Sequence, residues 1–155
     1  MISVRNAALL DQITLLILTY NEAPNIRRTL DKLRWARRII VIGSGSTDGT
    51  LEILCSYNNI IIEYKKFIDF KSQWNYGISR VENEWILTLD ADYELSEDLI
   101  IELQLMTPFP NTIGYRAEFI YRIFGRPLRG TLYPPRVVLF KKGTASYRQE
   151  GIRNN

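Results

Sequence analysis

The sequence has no histidine and a single cysteine, Cys55, among its 155 residues. Without histidine, every mechanism that needs an imidazole base or an imidazole metal ligand from this chain is excluded. One cysteine rules out an internal disulfide and a cysteine-based zinc site. The longest apolar stretch, 13–20, is far short of the roughly 20 residues that a membrane span needs. Residues 1–12 carry one arginine and no long apolar core, so no signal peptide is expected there. The expected setting is therefore cytoplasmic and reducing.

What is present is ordinary globular composition, 46% hydrophobic and 24% charged, which predicts one domain over 1–155. The charge is uneven. The net charge is +3 overall, but 52–115 holds a net −7 and 116–155 a net +7. An acidic middle and a basic end are compatible with cation binding in one place and anion or membrane binding in another, or with two solvated faces.

Hydrophobic periodicity divides the chain at about residue 107. Apolar runs at 13–19 and 39–42 read as strands buried on both faces, and 60–64 and 85–89 read as a third and a fourth strand. Between them lie helical stretches. Pro24 fits a first helical turn, followed by Ile26, Leu30 and Leu33 at helical spacing. A short helix is predicted over 51–56. Phe70, Trp74, Gly77, Ile78 and Val81 form a third apolar stripe, and Ser96 caps a helix that starts at Glu97. This alternation predicts an α/β fold, a mostly parallel sheet with helices on both faces (13–107). From Pro108 onward, proline and glycine punctuate a strand-like stretch at 113–124, and 108–155 reads as β-ribbon and loop.

Ligands of open parallel sheets bind at the C-terminal strand ends. Three polar clusters fall there: Thr19-Tyr20-Asn21-Glu22, Gly43 to Asp48, and Asp90-Ala91-Asp92. In extended chain, Asp90 and Asp92 share one face, and two carboxylates suit Mg²⁺ or Mn²⁺. Two acids also end many strands merely because loops are polar. The glycine-rich segment 43–49 is not a phosphate loop: position 48 is Asp where a third glycine would be needed, and no Gly-Lys-Ser/Thr is present. Asp48 is expected as the N-cap of the following helix. Lys71 and Asn75, four apart, project together and could meet a phosphate and a sugar hydroxyl, or simply face solvent.

Four ordered segments carry a resemblance: Ile-Leu-Thr-Tyr-Asn-Glu (17–22), Gly-Ser-Gly-Ser-Thr-Asp-Gly-Thr (43–50), Asp-Phe-Lys-Ser-Gln-Trp-Asn-Tyr-Gly (69–77) and Leu-Thr-Leu-Asp-Ala-Asp (87–92). Together they resemble the family-2 glycosyltransferases of GT-A fold, over about residues 13–151. The stretch Tyr-Pro-Pro-Arg-Val-Val-Leu-Phe (133–140) is similar to a bacterial subgroup that builds cell-surface polysaccharides. The resemblance implies an inverting, hexosyl-type transfer from a nucleotide-diphosphate sugar to a saccharide or lipid-linked acceptor, aided by Mg²⁺ or Mn²⁺, with no nucleic-acid partner. It implies that Thr19, Tyr20 and Glu22 line the nucleoside. Asp90, with Ala91 beside it, would face the ribose or the metal through water, and Asp92 would ligate the metal. Lys71 and Asn75 would lie near the phosphates or donor sugar.

Two departures from the family pattern stand out. Gly43 replaces an aspartate that commonly reads the nucleobase. Beyond Tyr147-Arg-Gln-Glu-Gly151 the chain lacks the usual histidine and the rest of the acceptor side, so 108–155 reads as an incomplete acceptor region. Glu150 is then the expected base for the acceptor proton. The alternative is a truncated or degenerate non-catalytic module that binds a nucleotide or a partner. A nucleotidyltransferase is disfavoured because no basic, glycine-rich triphosphate loop lies near Thr19. Arg126, Arg129, Arg136, Lys141 and Lys142 are candidates for peripheral contact with the anionic inner face of a membrane, at about 1 kcal/mol each, unless they pair with the acidic middle segment.

Overall fold

The computed structural model describes residues 9–128 and 135–148. Glu150, Arg129 and the first two residues of the 133–140 stretch lie outside the described residues. The elements run α1 (Leu9–Gln12), β1 (Ile13–Thr19), α2 (Ile26–Asp31), β2 (Ile39–Gly43), α3 (Thr50–Cys55), β3 (Ile60–Tyr64), α4 (Phe70–Arg80), β4 (Trp85–Asp90) and α5 (Glu97–Leu105). Then follow β5 (Gly114–Ala117), β6 (Arg122–Ile123), β7 (Arg126–Pro127) and β8 (Arg136–Lys141).

Six strands form one sheet in the order β3-β2-β1-β4-β8-β5, and β6 and β7 make a separate two-stranded ribbon. The pairs β1·β2, β1·β4 and β2·β3 are parallel, whereas β8 is antiparallel to both β4 and β5. The expectation of a mostly parallel α/β sheet is met. The tail differs from its sequence reading. It is not only ribbon and loop, because β8 enters the sheet between β4 and β5. The stretch expected to be strand-like over 113–124 forms strand only at 114–117 and 122–123.

The apolar runs of β1, β2 and β4 have a covering layer on both sides, which is why they do not alternate, whereas β3 is the edge strand and leaves Ile61 and Tyr64 exposed. Leu15 and Ile17 of β1 face the helices α2, α3 and α5 through Ile26, Leu30, Leu54 and Leu103. Leu16 of β1 points the other way, into Ile40, Ile42, Trp74 and Ile86 under α4. Phe140 of β8 joins this second cluster, which explains why the late strand docks there.

Helix starts follow the local chemistry. Asp69 accepts from the Ser72 N–H at 2.6 Å and Ser96 from the Leu99 N–H at 3.1 Å, each satisfying an orphan donor of a first turn. The Pro24 turn precedes regular helix, with the Glu22 carbonyl accepting from Asn25 and Ile26. Phe70, expected in the buried stripe, is instead 68% exposed at the start of α4, edge-on to Phe67. The first turn of the helix overhangs the sheet, so burial begins one turn later at Gln73, Trp74 and Gly77.

Gly77 is where α4 approaches β1. A Cβ there would lie 2.6 and 2.8 Å from the methyls of Leu16, which is fully buried and has no room to retreat. Gly77→Ala is therefore expected to destabilise the protein by about 1–3 kcal/mol through overpacking. That outweighs the roughly 1 kcal/mol that alanine normally gains over glycine within a helix. Urea unfolding of the two proteins checks the sign.

Candidate functional site at the strand ends

The sheet order places a topological switch between β1 and β4. From β1 the chain moves outward to β2 and β3, then returns to β4 on the other side of β1. At the C-terminal edge Thr19 is in register with Gly43, Gly43 with Tyr64, and Leu18 with Asp90. The three polar clusters read from the sequence thus meet along one edge, with Thr19 and Asp90 on opposite sides of the switch.

The loops after β1 and β2 are bonded into one unit. The Asn21 N–H donates to Ser46 Oγ at 2.9 Å, and Asn21 Oδ1 accepts from the Thr47 N–H at 2.8 Å. The Glu22 N–H donates to Thr50 Oγ1 at 2.9 Å, and the Ala23 N–H to Asp48 Oδ2 at 3.0 Å. Asn21 holds a positive φ of 53°, which asparagine tolerates better than most residues. Asp48 is not the N-cap as expected. Gly49, at φ 92°, takes that position and turns the chain so that Asp48 Oδ1 still accepts from the Thr50 N–H and hydroxyl. The Thr50 hydroxyl, and then the backbone N–H groups of Ala23 and Thr50, hold the Asp48 carboxyl below the usual carboxylate range.

On the far side of the switch, β4 ends at Asp90 and the chain turns, with the Tyr93 N–H donating to the Asp90 carbonyl. Asp90 and Asp92 are exposed while Ala91 between them is buried. The buried Thr29 hydroxyl of α2 donates to the Ala91 carbonyl at 2.8 Å and fixes the turn. Asp90 is open to solvent at the cleft mouth, yet the protein atoms crowded around its carboxyl partly desolvate it and push it above its ordinary value. A hydrogen bond from Tyr93 opposes this, neighbouring Asp92 adds to it, and Arg136 opposes it. Burial raises the Tyr93 hydroxyl too, helped by the charge of Asp90.

That cleft has a volume of about 280 Å³ and includes Asp90, Tyr93, Phe119, Arg136, Trp74 and Tyr147 in its lining. Tyr93 packs on Phe119 with ring centroids 5.2 Å apart. Tyr147 stacks on Trp74 at 5.3 Å with 14° between the planes. Asn75 clips the backbone of Tyr147 at both ends: its Nδ2 donates to the Tyr147 carbonyl at 3.0 Å, and its Oδ1 accepts from the Tyr147 N–H at 2.9 Å.

The candidate residues are thus distributed in three ways. Thr19, Tyr20, Glu22 and Gly43 gather on the β1–β2 side, and Asp90, Ala91 and Asp92 on the β4 side. Thr19 Oγ1 is buried and makes no hydrogen bond among the described residues, while Tyr20 is 58% exposed. Asn75 reaches the cleft wall only through Tyr147, and Lys71 lies exposed one turn earlier on α4, outside the cleft lining. Sequence reasoning assigned none of Thr29, Tyr93 and Tyr147 to the site and placed Arg136 at a membrane surface. Thr29 and Tyr147 act through partners distant in sequence, and Tyr93 gains its role only from the turn after β4. Gly43 is not forced by space. A Cβ there would meet only the Glu63 carbonyl at 3.9 Å and Thr19 Cγ2 at 4.0 Å.

Two carboxylates at one strand end match the donor set of a divalent ion that completes its shell with water and substrate phosphate. No group of three or more His, Cys, Asp or Glu side chains suited to a metal occurs among the described residues. The residues fit an ion that arrives with its substrate, not a closed structural site.

The sheet and its strand-end clusters define a GT-A-like domain. The chain matches Glycosyl transferase family 2 over residues 14–119 and belongs to that family. It is 33% identical over 107 residues to an "Uncharacterized glycosyltransferase" of Rickettsia bellii, covering 68% of this chain and 36% of that protein. It is 26% identical over 106 residues to the lipopolysaccharide core biosynthesis glycosyltransferase LpsC of Rhizobium meliloti, covering 65% and 39%. The chain therefore spans a little over a third of the length of these relatives. Among solved structures, the mannosyltransferase PcManGT of Pyrobaculum calidifontis, in complex with GDP-Man and Mn²⁺, has a TM-score of 0.56 at 23% identity, covering 72% of this chain and 36% of that one. S. aureus TarS 1–349 in complex with UDP-GlcNAc has a TM-score of 0.51 at 20% identity, covering 59% and 29%. At these identities the structural likeness establishes the fold.

Two outcomes follow from the site's construction. Thr29→Val removes the donor to a buried carbonyl and should cost about 1–3 kcal/mol, read by denaturant unfolding. Asp48, with its carboxyl lowered in the folded state, contributes stability that is present above the unfolded value near 3.8 and is lost as pH falls through the folded value. Asp48→Asn should therefore be less stable than wild type at pH 7, and the gap should narrow below about pH 4. Thermal melts across pH 3–7 would show the convergence.

Proposed function

We propose that this chain is the donor-binding part of an inverting glycosyltransferase. It moves a hexose from a nucleotide-diphosphate sugar to a saccharide or lipid-linked acceptor in cell-envelope polysaccharide synthesis, at the cytoplasmic side. The observation that carries this reading is the Asp90-Ala91-Asp92 turn, placed across the switch point from Thr19–Glu22. The relatives' names support polysaccharide chemistry, and the GDP-Man, UDP-GlcNAc and Mn²⁺ of the solved structures support a nucleotide sugar with a divalent ion.

In this reading Thr19, Tyr20 and Glu22 hold the nucleoside against the loop unit. Asp90 faces the ribose, Asp92 is the direct metal ligand, and Lys71 approaches the phosphates. Asn75 serves as a positioning residue through its clip on Tyr147. Bound Mg²⁺ or Mn²⁺ would neutralise the negative charge that develops on the departing diphosphate. The acceptor hydroxyl attacks the anomeric carbon as the bond to the diphosphate oxygen breaks. Its proton passes to a carboxylate, for which Glu150 is our assignment. Residues 108–155 would begin an acceptor-side region. A second reading, nucleotide binding without turnover, is favoured by Gly43 alone, and an assay of sugar-nucleotide hydrolysis or transfer separates the two.

Thermal shift against UDP, GDP, CDP and dTDP, each with and without Mn²⁺, tests the donor site. One nucleotide should stabilise the protein in a Mn²⁺-dependent way, by about 2.7 kcal/mol at 100 times its Kd. Asp92→Ala should abolish that shift, and an unchanged shift in the variant would refute the metal assignment. Because the pocket admits a side chain at 43, Gly43→Asp should fold normally. It should also tighten the matching nucleotide by about 1.5–3 kcal/mol if its carboxylate reaches the base.

A further inference from the structure

The ribbon formed by β6 and β7 is a two-residue hairpin. Ile123 pairs with Arg126, leaving Phe124 and Gly125 as the loop, and both have positive φ, 49° and 73°. Such turns select Asn, Asp or Gly at both positions. A phenylalanine in the left-handed region is strained and needs a reason. Packing is not the reason, because Phe124 is fully exposed at 101%, with Ile120 at 75% and Ile123 at 53% beside it. Arg122 and Arg126 flank the tip, both exposed, and neither forms an ion pair among the described residues.

We propose that this hairpin docks the protein on an anionic lipid bilayer, with Phe124 and Ile123 entering the headgroup–acyl boundary and Arg122 and Arg126 meeting acidic headgroups. An aromatic tip between arginines has the composition of a membrane-interface anchor. A protein partner is the weaker fit, because a two-residue tip offers far less than the roughly 800 Å² per side of a stable protein interface. The other basic candidates among the described residues are engaged elsewhere. Lys141 pairs with Glu84 at 3.3 Å, Lys142 Nζ donates to the Val81 carbonyl, and Arg136 lines the cleft. The ribbon also starts near the rim of the candidate active site, β6 beginning at Arg122 shortly after Phe119, which packs on Tyr93, and the Leu128 N–H to Tyr121 carbonyl bond closes its base. The lipid-docking inference does not depend on donor binding.

Co-sedimentation with vesicles of phosphatidylcholine, with and without phosphatidylglycerol, tests it. The protein should partition onto the anionic vesicles at least about ten-fold more strongly than onto neutral ones, since headgroup contacts by two arginines multiply. Phe124→Asn should weaken that binding about ten-fold or more, the loss expected for one buried aromatic side chain. Its thermal midpoint should stay level or rise, because asparagine suits the turn. Arg122→Gln/Arg126→Gln should remove the preference for anionic lipid. Binding that ignores phosphatidylglycerol, or that survives Phe124→Asn unchanged, overturns the proposal. So does a wild-type dimer that dissociates in Phe124→Asn, which would assign the tip to a second copy of the chain.

Discussion

The structure depends on the burial of β1 on both faces and its parallel pairing along both edges. Leu15, Leu16 and Ile17 are completely buried, and each contributes about 1.5–3 kcal/mol by leaving water. Such a strand cannot slip by one residue without exchanging its two faces between unlike helix layers. The register that aligns Thr19 with Gly43, and Leu18 with Asp90, is thereby fixed from the core. The site's geometry follows from packing that lies well below it.

Above that floor, the site is held by polar contacts between segments far apart in sequence. The loops after β1 and β2 exchange hydrogen bonds through Asn21, Ser46, Asp48 and Thr50, so neither loop is ordered alone. Thr29 holds the aspartate turn from beneath, and Asn75 holds Tyr147 at the cleft wall. The residues facing the cleft are therefore carried on anchored backbone, and the chemistry is left to exposed carboxylates whose own contacts are few. Preorganisation of this kind lowers the ordering cost of binding.

The parallel half was legible because its information is local. An apolar run between helical stripes specifies a strand, and all four lie within a residue of their expected bounds, although β3, at the sheet edge, is covered less than the other three. The strand-end rule then located the three clusters. β8 was not legible, because its place between β4 and β5 is set by antiparallel pairing across 50 residues and by Phe140 filling a gap under α4. The helix-cap expectation for Asp48 missed by one residue, since a left-handed glycine intervened where asparagine and aspartate rules assume a simple entry. Phe70 misled because a helical stripe marks a face without saying where the helix begins to overlie the sheet. Thr29 and Tyr93 left no pattern at all: a threonine in a helix and a tyrosine after a turn become informative only once Ala91 and Asp90 are beside them.

The central claim is that a divalent ion and a nucleoside diphosphate meet at the switch point between β1 and β4. Paramagnetic broadening of backbone amide signals by Mn²⁺, added with the nucleotide that stabilises the protein, tests this most directly. The account predicts loss of the signals of Tyr20, Asn21, Ala91, Asp92 and Tyr93, while those of Ile13, Trp85 and Phe140 toward the other end of the strands persist. Broadening centred away from the Asp90–Asp92 turn, or none that depends on the nucleotide, would contradict it.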